Sequence, residues 1–478
     1  MPRSKTIAHA QVLQTFQRVW GYENFRSPQG EIVQCLLAGQ DALIVMPTGG
    51  GKSICFQLPA LLQTGLTLVV SPLVALMEDQ VQELRQRQQP AALLHSQLSG
   101  QERKQVLWKL ENQRLRLLYL SPETLLSPPV WSRLADPRLQ INGLILDEAH
   151  CLAQWGDSFR PAYYRLGAVR PELLKTRSAD SRIAIAAFTA TADRATQSTL
   201  QQVLQLQQPE IFRASPYRSN LHLKVQTVWT PRGRKQQLLQ FLRSHPQLSG
   251  LVYVRARRDS EELAEWLTLQ GYRTAAYHAG LPASERRTIE QAWMQGTAQF
   301  VICTSAFGLG INKPNLRWVV HFHPPLLLSE YVQEAGRAGR DGKPAEALTL
   351  VSEPTGLLDS DDKQRWRAFA EQGRSQQQIA QRHAHKLPHQ GSVPPNQARE
   401  EALALAWLQS VGRLTWKTPF EYELHPPQKA ASDASTAQPP SAYFRTRECR
   451  WKFLLAAFGF EAEAAAFRCD RCDNCLRG

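Results

Sequence analysis

From residue 41 to about 350 the apolar positions fall in short unbroken runs of 4–6 residues, and each run ends on Gly, Ser, Thr or Asp before a helical periodicity begins. Examples are DALIVMPTGGGKS, LTLVVSPLVALMEDQ, LRLLYLSPETL, INGLILDEAH and IAIAAFTATAD. A second set follows in GLVYVRARRDSEELA, AQFVICTSAFGLG and LRWVVHF. Continuous rather than alternating apolar runs belong to strands buried on both faces, the signature of parallel sheets covered by helices. The predicted fold class is therefore α/β, with two parallel-sheet domains in tandem. A break near Ile211–Arg218 sets their predicted bounds at 1–213 and 214–355. Residues 356–478 read as a small, mainly helical C-terminal subdomain with a Pro/Gln/Ala-rich insertion near 384–442. Within it, 384–398 and 425–442 read as loops, while Gln397–Ser410 and Glu448–Phe458 read as helices. In sheets of this kind ligands bind at the carboxyl ends of the strands, and the polar residues fall there.

The first such end carries Thr48-Gly49-Gly50-Gly51-Lys52-Ser53 between a strand and a helix. Glycines let backbone N–H groups close around phosphates at a helix N-terminus. Lys52 would reach the β/γ-phosphates of ATP and Ser53 would ligate Mg²⁺. The strict pattern has Gly six residues before the lysine; this chain has Met46. Asp147-Glu148-Ala149-His150 follows the apolar run INGLIL. There Asp147 would hold Mg²⁺ and Glu148 would polarise the attacking water, the alternative being a carboxylate cap for the next helix.

The second set of runs ends in Gln333-Glu334-Ala335-Gly336-Arg337-Ala338-Gly339-Arg340. Read as one helix, it puts Arg337 and Arg340 on a shared face, from which they would act on the γ-phosphate as arginine fingers. A surface basic patch is the bland alternative. Composition adds a partner. Lys and Arg total 56 against 42 Asp and Glu, a net charge of +14, which favours a polyanion such as DNA or RNA, although general solubility accounts for such a surplus too. No stretch approaches the roughly 20 apolar residues of a membrane span, and the N-terminus lacks a signal-peptide core, so the expected location is cytoplasmic.

Taken together, Phe25-Arg26-Ser27-Pro28-Gln29, GGGKS, VVSPLVALMEDQ, LYLSPETL, LILDEAHCLAQWGDSFRP, AFTATAD, AAYHAGL, SAFGLGINKP and YVQEAGRAGRDG run in order through residues 16–350 of 478. In this the chain resembles the RecQ family of superfamily-2 DNA helicases. The resemblance implies two RecA-like domains, a DNA-stimulated ATPase, and 3′→5′ unwinding in repair or recombination. It implies that Tyr22, Arg26 and Gln29 read adenine, that Gln333, Arg337 and Arg340 complete the ATP site, and that Thr189 and Thr191 link ATP state to DNA grip. Trp155–Tyr163 matches the family's aromatic-rich loop, where Trp155 and Phe159 would stack on unpaired bases at roughly 1–3 kcal/mol per base, with Arg160 beside them. A core role for Trp155 is the alternative. Two departures stand in this loop, Asp157 and Ser158 where the family has His and Asp. YVRARR replaces the family's Asn-Ser form of the fourth motif.

Of eight cysteines, Cys35, Cys55, Cys151 and Cys303 are scattered, whereas Cys449 and the knuckle Cys469-x-x-Cys472-x-x-Cys475 cluster near the C-terminus. Four thiolates suit a tetrahedral Zn²⁺, and the RecQ resemblance extends to this arrangement; an iron–sulfur cluster is the rival. Arg445, Arg447, Arg450, Lys452, Arg468 and Arg471 around the site would be available to phosphates. The chain resembles a short RecQ form without the winged helix and small helical domain that many members carry. The expected partner is single-stranded or tailed duplex DNA, bound by a monomer. Besides a helicase, the sequence admits a DNA-stimulated translocase or annealing factor with weak unwinding, a non-catalytic zinc scaffold, and RNA as substrate.

Overall fold

The computed structural model describes residues 9–47, 49–153, 159–307, 313–394, 397–426 and 440–477. The expected apolar runs form the strands β1 (Ala42–Val45), β2 (Leu66–Val70), β3 (Ala91–Leu94), β4 (Leu117–Leu120), β5 (Ile141–Leu146), β6 (Ala184–Thr189) and β7 (Glu210–Arg213). They pair in parallel as a 7-stranded sheet of order β3-β4-β2-β5-β6-β1-β7. Alternate residues of β1 serve two cores: Leu43 and Val45 face one, Ala42 and Ile44 the other. This two-sided burial selects ALIV over an alternating sequence. The order brings the ends of β5, β6 and β1 side by side.

A second parallel sheet comprises β8 (Leu221–Val228), β9 (Gly250–Tyr253), β10 (Thr274–Tyr277), β11 (Phe300–Cys303), β12 (Trp318–His321) and β13 (Ala345–Ser352), in the order β10-β11-β9-β12-β13-β8. It too lies between two apolar cores. The chain divides into two compact units. One holds residues up to Met46, Gly50–Ala214 and Gln372–Ser435; the other holds Pro47–Gly49, Ser215–Glu371 and Thr436–Gly478.

The packing thus cuts the C-terminal region differently from the composition, which reads 356–478 as one subdomain. The 24-residue helix Asp361–Ala384 crosses the boundary. After it come β14 (Gln390–Ser392), the helix Arg399–Ser410, and the hairpin β15 (Leu414–Thr418) and β16 (Glu421–Leu424), forming an antiparallel sheet of order β14-β16-β15. These elements join the first unit because Leu405, Leu414, Trp416 and Tyr422 close a core with Ala168. The helix expected at Gln397–Ser410 is present; the hairpin is an addition to the sequence reading. Among the described residues no helix is long and apolar enough to cross a membrane.

Candidate active site and metal centre

The phosphate loop follows β1, and Lys52 opens the helix Lys52–Leu62, with Ser53 next to it. Thr48 lies outside the described residues. Gly51 caps this helix at φ 75°, and a Cβ there would stand 2.3 Å from Gln29 Nε2, so both backbone and space demand glycine. Gln29 is buried and locks the loop: its Nε2 donates to Gly50 O (2.9 Å), and its Oε1 accepts from Arg26 N (2.9 Å). Tyr22, grouped with these two by the sequence, is 54% exposed with its ring 5.9 Å from Phe16.

The end of β5 brings the carboxylates to the loop. Lys52 Nζ donates to Met46 O at 3.3 Å and lies 3.9 Å from Glu148. Asp147 is buried, accepting from Gln80 Nε2 (3.2 Å) and Glu148 N (3.0 Å). Burial, reinforced by the charge of Glu148 and opposed by Lys52, raises the Asp147 carboxyl to about 6. Glu148 has φ 49°, a left-handed conformation for a side-chain-bearing residue, which concentrates at functional sites. His150, its pKa lowered by burial, sits 3.3 Å from Glu148 and 3.1 Å from Thr189 Oγ1. Thr189 in turn donates to Thr191 O (3.0 Å). Lys52, Glu148, His150, Thr189 and Thr191 therefore form one polar chain across the strand ends. A buried and a partly exposed carboxyl beside a lysine at a helix N-terminus form a donor set suited to a metal-bound polyphosphate. Gln80 has no motif of its own to mark it in the sequence, although it ends the VVSPLVALMEDQ segment.

Trp155 lies outside the described residues. Phe159 is corrected: only 7% exposed and 5.9 Å from the Tyr164 ring, it belongs to the core and offers no stacking face. Arg160 is half-exposed, donating to Pro72 O (2.6 Å) and Glu123 Oε2 (3.2 Å).

In the second unit the helix carrying Gln333 spans Leu328–Ala335 and stops at Gly336. Arg337 and Arg340 thus sit in turns, not on the shared helix face expected of them. The reason lies in partners distant along the chain. Gly339 adopts φ 63°, and a Cβ there would meet Asn220 Nδ2 at 2.6 Å. The turn is clamped by residues the sequence reading passed over. Arg218 donates to Gly336 O (2.9 Å) and to Gly339 O, and Asn220 Nδ2 donates to Gly339 O and Lys343 O, both at 2.8 Å. Burial, with Arg337 and Arg218 nearby, lowers Arg340 to about 10. In the same unit, burial alone would raise Glu334, yet Arg255 (2.7 Å) and His321 (3.1 Å) hold it down at about 2.

The four thiols of Cys449, Cys469, Cys472 and Cys475 lie within 4.8 Å of one another, with Cys469 and Cys475 Sγ 3.9 Å apart. A tetrahedral ion with metal–sulfur bonds of about 2.3 Å needs thiolates about 3.8 Å apart. The cluster fits one such ion; a multi-iron cluster would interpose several atoms and spread the sulfurs further. Backbone N–H groups of Arg450, Cys469 and Cys472 point at thiol sulfurs at 3.3–3.4 Å, as thiolates require. Cys449 caps the helix Arg450–Ala457 instead of lying in it. Arg450 is also corrected: it is buried and bidentate to Asp473 (2.9 and 3.0 Å), so it is not available to phosphates. Asp473 accepts from Val225 N (3.2 Å) and Trp451 Nε1 donates to Leu221 O (3.2 Å), fastening the knuckle to β8.

Residues 26–199 match the DEAD/DEAH box helicase family, and residues 233–342 match the helicase conserved C-terminal domain. The ATP-dependent DNA helicase RecQ of Synechocystis sp. is 53% identical over 471 residues, 97% of this chain and 98% of that one. The ATP-dependent DNA helicase RecQ of Pasteurella multocida is 40% identical over 72% of this chain, which spans 52% of that longer protein. Among solved structures, the DUF1998 helicase MrfA bound to DNA shares the fold at a TM-score of 0.60 and 17% identity, over 90% of this chain and 64% of that one. This chain belongs to the RecQ family of ATP-dependent DNA helicases.

Proposed function

We propose that this helicase tracks 3′→5′ along single-stranded DNA and unwinds the duplex ahead in repair or recombination. The observation that carries the reading is the Lys52–Glu148 pair at 3.9 Å, with Gln29 bonded to the same loop. A lysine ammonium resting on a carbonyl and a carboxylate is a cation that a γ-phosphate would draw onto itself. In this reading Tyr22, Arg26 and Gln29 hold adenine, and Gly49, Gly50, Gly51 and Lys52, with Thr48, hold the phosphates. Ser53 and Asp147 hold Mg²⁺, which when bound neutralises phosphate charge, and Glu148 orients the attacking water. Gln333, Arg337 and Arg340 act on the same nucleotide. Trp155 stacks on unpaired bases, Arg160 stands beside it, and the four cysteines hold one structural Zn²⁺. DNA as substrate follows the named relatives, and the direction follows the RecQ resemblance alone.

Strand displacement on duplexes with a 3′ or a 5′ tail tests this: 3′-tailed substrate should be unwound and 5′-tailed substrate left intact. Equal unwinding of both, or of the 5′ form alone, refutes the polarity. One observation favours the second reading, a DNA-stimulated translocase with weak unwinding. The antiparallel hairpin β15–β16 has its tip packed against the first unit, Phe420 lying 5.1 Å from Trp131, and so presents no free wedge. Strong DNA-stimulated ATPase without displacement would select that reading.

A further inference from the structure

We infer that the helix Arg399–Ser410 and the hairpin β15–β16 form a brace that positions the aromatic-rich loop, acting through Arg165. The inference rests on the reading of that loop as the DNA-responsive element of the helicase. The run of 3₁₀ turns Pro161–Ala168 takes in the last residues of the loop, Pro161–Tyr163. One side of this segment is fixed in the first core by Tyr163, Tyr164 and Leu166. Its other side meets the brace. Arg165 Nε donates to Pro419 O at 2.6 Å, and the guanidinium lies 5.3 Å from the Phe420 ring and 5.8 Å from the Trp416 ring. Phe420 also stands edge-on to Trp131 at 5.1 Å.

The hairpin is thus plugged in at its tip, the opposite of what strand separation needs. The helix Arg399–Ser410 buries Leu403, Ala404, Leu405, Ala406 and Leu408, and its first turn carries Glu400 and Glu401 beside the single positive charge of Arg399, so the end it leaves open is net acidic and poorly suited to a DNA groove. What remains for these elements is mechanical. Between brace and segment lies a cavity of about 300 Å³ lined by Pro161, Ala162, Arg165, Leu405, Trp416 and Phe420. Apolar packing flanks it, with Leu403 and Ala406 sharing the core of Tyr163, Tyr164 and Leu166 and with Leu405 and Trp416 sharing that of Ala168, and Arg165 adds the directed polar contact of the joint. A planar guanidinium suits such a joint because it stacks on rings while donating in a fixed direction, which an ammonium does not.

The test is ATP turnover with and without an oligothymidylate, for Arg165→Ala, Arg165→Lys, Phe420→Ala and Trp155→Ala, each beside a melting curve. Displacing a positioned group by about 1 Å costs up to about a hundredfold in rate. Arg165→Ala and Phe420→Ala should therefore cut DNA stimulation by about tenfold or more, with turnover on ATP alone unchanged at temperatures well below each variant's melting point. Arg165→Lys should fail like Ala. Full rescue by Lys would show that charge toward DNA is what matters, and would overturn the brace. Parallel loss of melting temperature and ATP-only turnover would reduce it to ordinary packing, again overturning it. Trp155→Ala separates the two levels. If it keeps full stimulation, the loop reading fails; if it loses stimulation while the Arg165 and Phe420 variants keep theirs, the loop reading stands and the brace fails.

Discussion

Lys52 and Asp147 show how one site sets stability against chemistry. Lys52 leans on Met46 O and Glu148, contacts that a phosphate would replace. Lys52→Ala should cut ATP turnover roughly 10²–10³-fold, as loss of a preorganised charge does, while single-strand binding persists; near-normal DNA-dependent turnover would reject the loop's assignment. Asp147 is a buried carboxyl beside a second one, and its partner Gln80 keeps an unpaired buried Oε1. Asp147→Asn removes the buried charge, and its new amide can donate to Gln80 Oε1 after that amide turns over. The variant should melt higher, by on the order of 1 kcal/mol, and hydrolyse almost no ATP. A lower melting temperature would mean that the Asp147 charge is compensated within the apo protein.

At the scale of elements, whatever depends on local sequence was readable. Runs such as ALIV and LTLVV are apolar on both sides and could only be buried strands, and GGGKS, DEAH and the cysteine spacing each name their chemistry through neighbours in sequence. What escaped depends on partners far along the chain. The arginine-bearing segment reads as helix, yet the carbonyls of Gly336 and Gly339 are taken by Arg218, more than a hundred residues earlier. Arg450 reads as surface charge beside other basic residues, and only the fold delivers Asp473 to it. Phe159 sits in an exposed-looking polar context, and its burial comes from Tyr164 and the first core. The hairpin β15–β16 is too short to announce itself, and its partners are Trp131 and Arg165. The Arg450–Asp473 pair yields a direct check. Asp473→Ala leaves a buried guanidinium without its counter-ion and should cost about 3–5 kcal/mol, read as a lower melting temperature with DNA affinity per folded molecule unchanged. A selective loss of DNA affinity would restore Arg450 as a phosphate ligand.

For the whole molecule the net charge of +14 is the broadest feature. With its tip docked, the hairpin β15–β16 offers no free wedge, and blunt duplex should be held mainly by phosphate contacts. Its affinity should fall steeply between low and physiological salt, each neutralised phosphate contributing about −0.9 to the log–log slope. A single-stranded tail should bind with a shallower slope because stacking is not a charge effect. Equal slopes for blunt and tailed duplex would reveal a duplex-binding element elsewhere in the chain. The metal centre bears on the molecule in another way. Cys472→Ser or chelation should lower folded yield, and purified protein should carry about one zinc, because such an ion contributes folding energy outright. The failure has a direction, too. β8 is the outermost strand of its sheet, and the knuckle covers it through Asp473 and Trp451. An uncovered outer strand is a template for pairing with another chain. Metal loss should therefore appear first as self-association, light scattering that grows with protein concentration, before the nucleotide-binding unit melts.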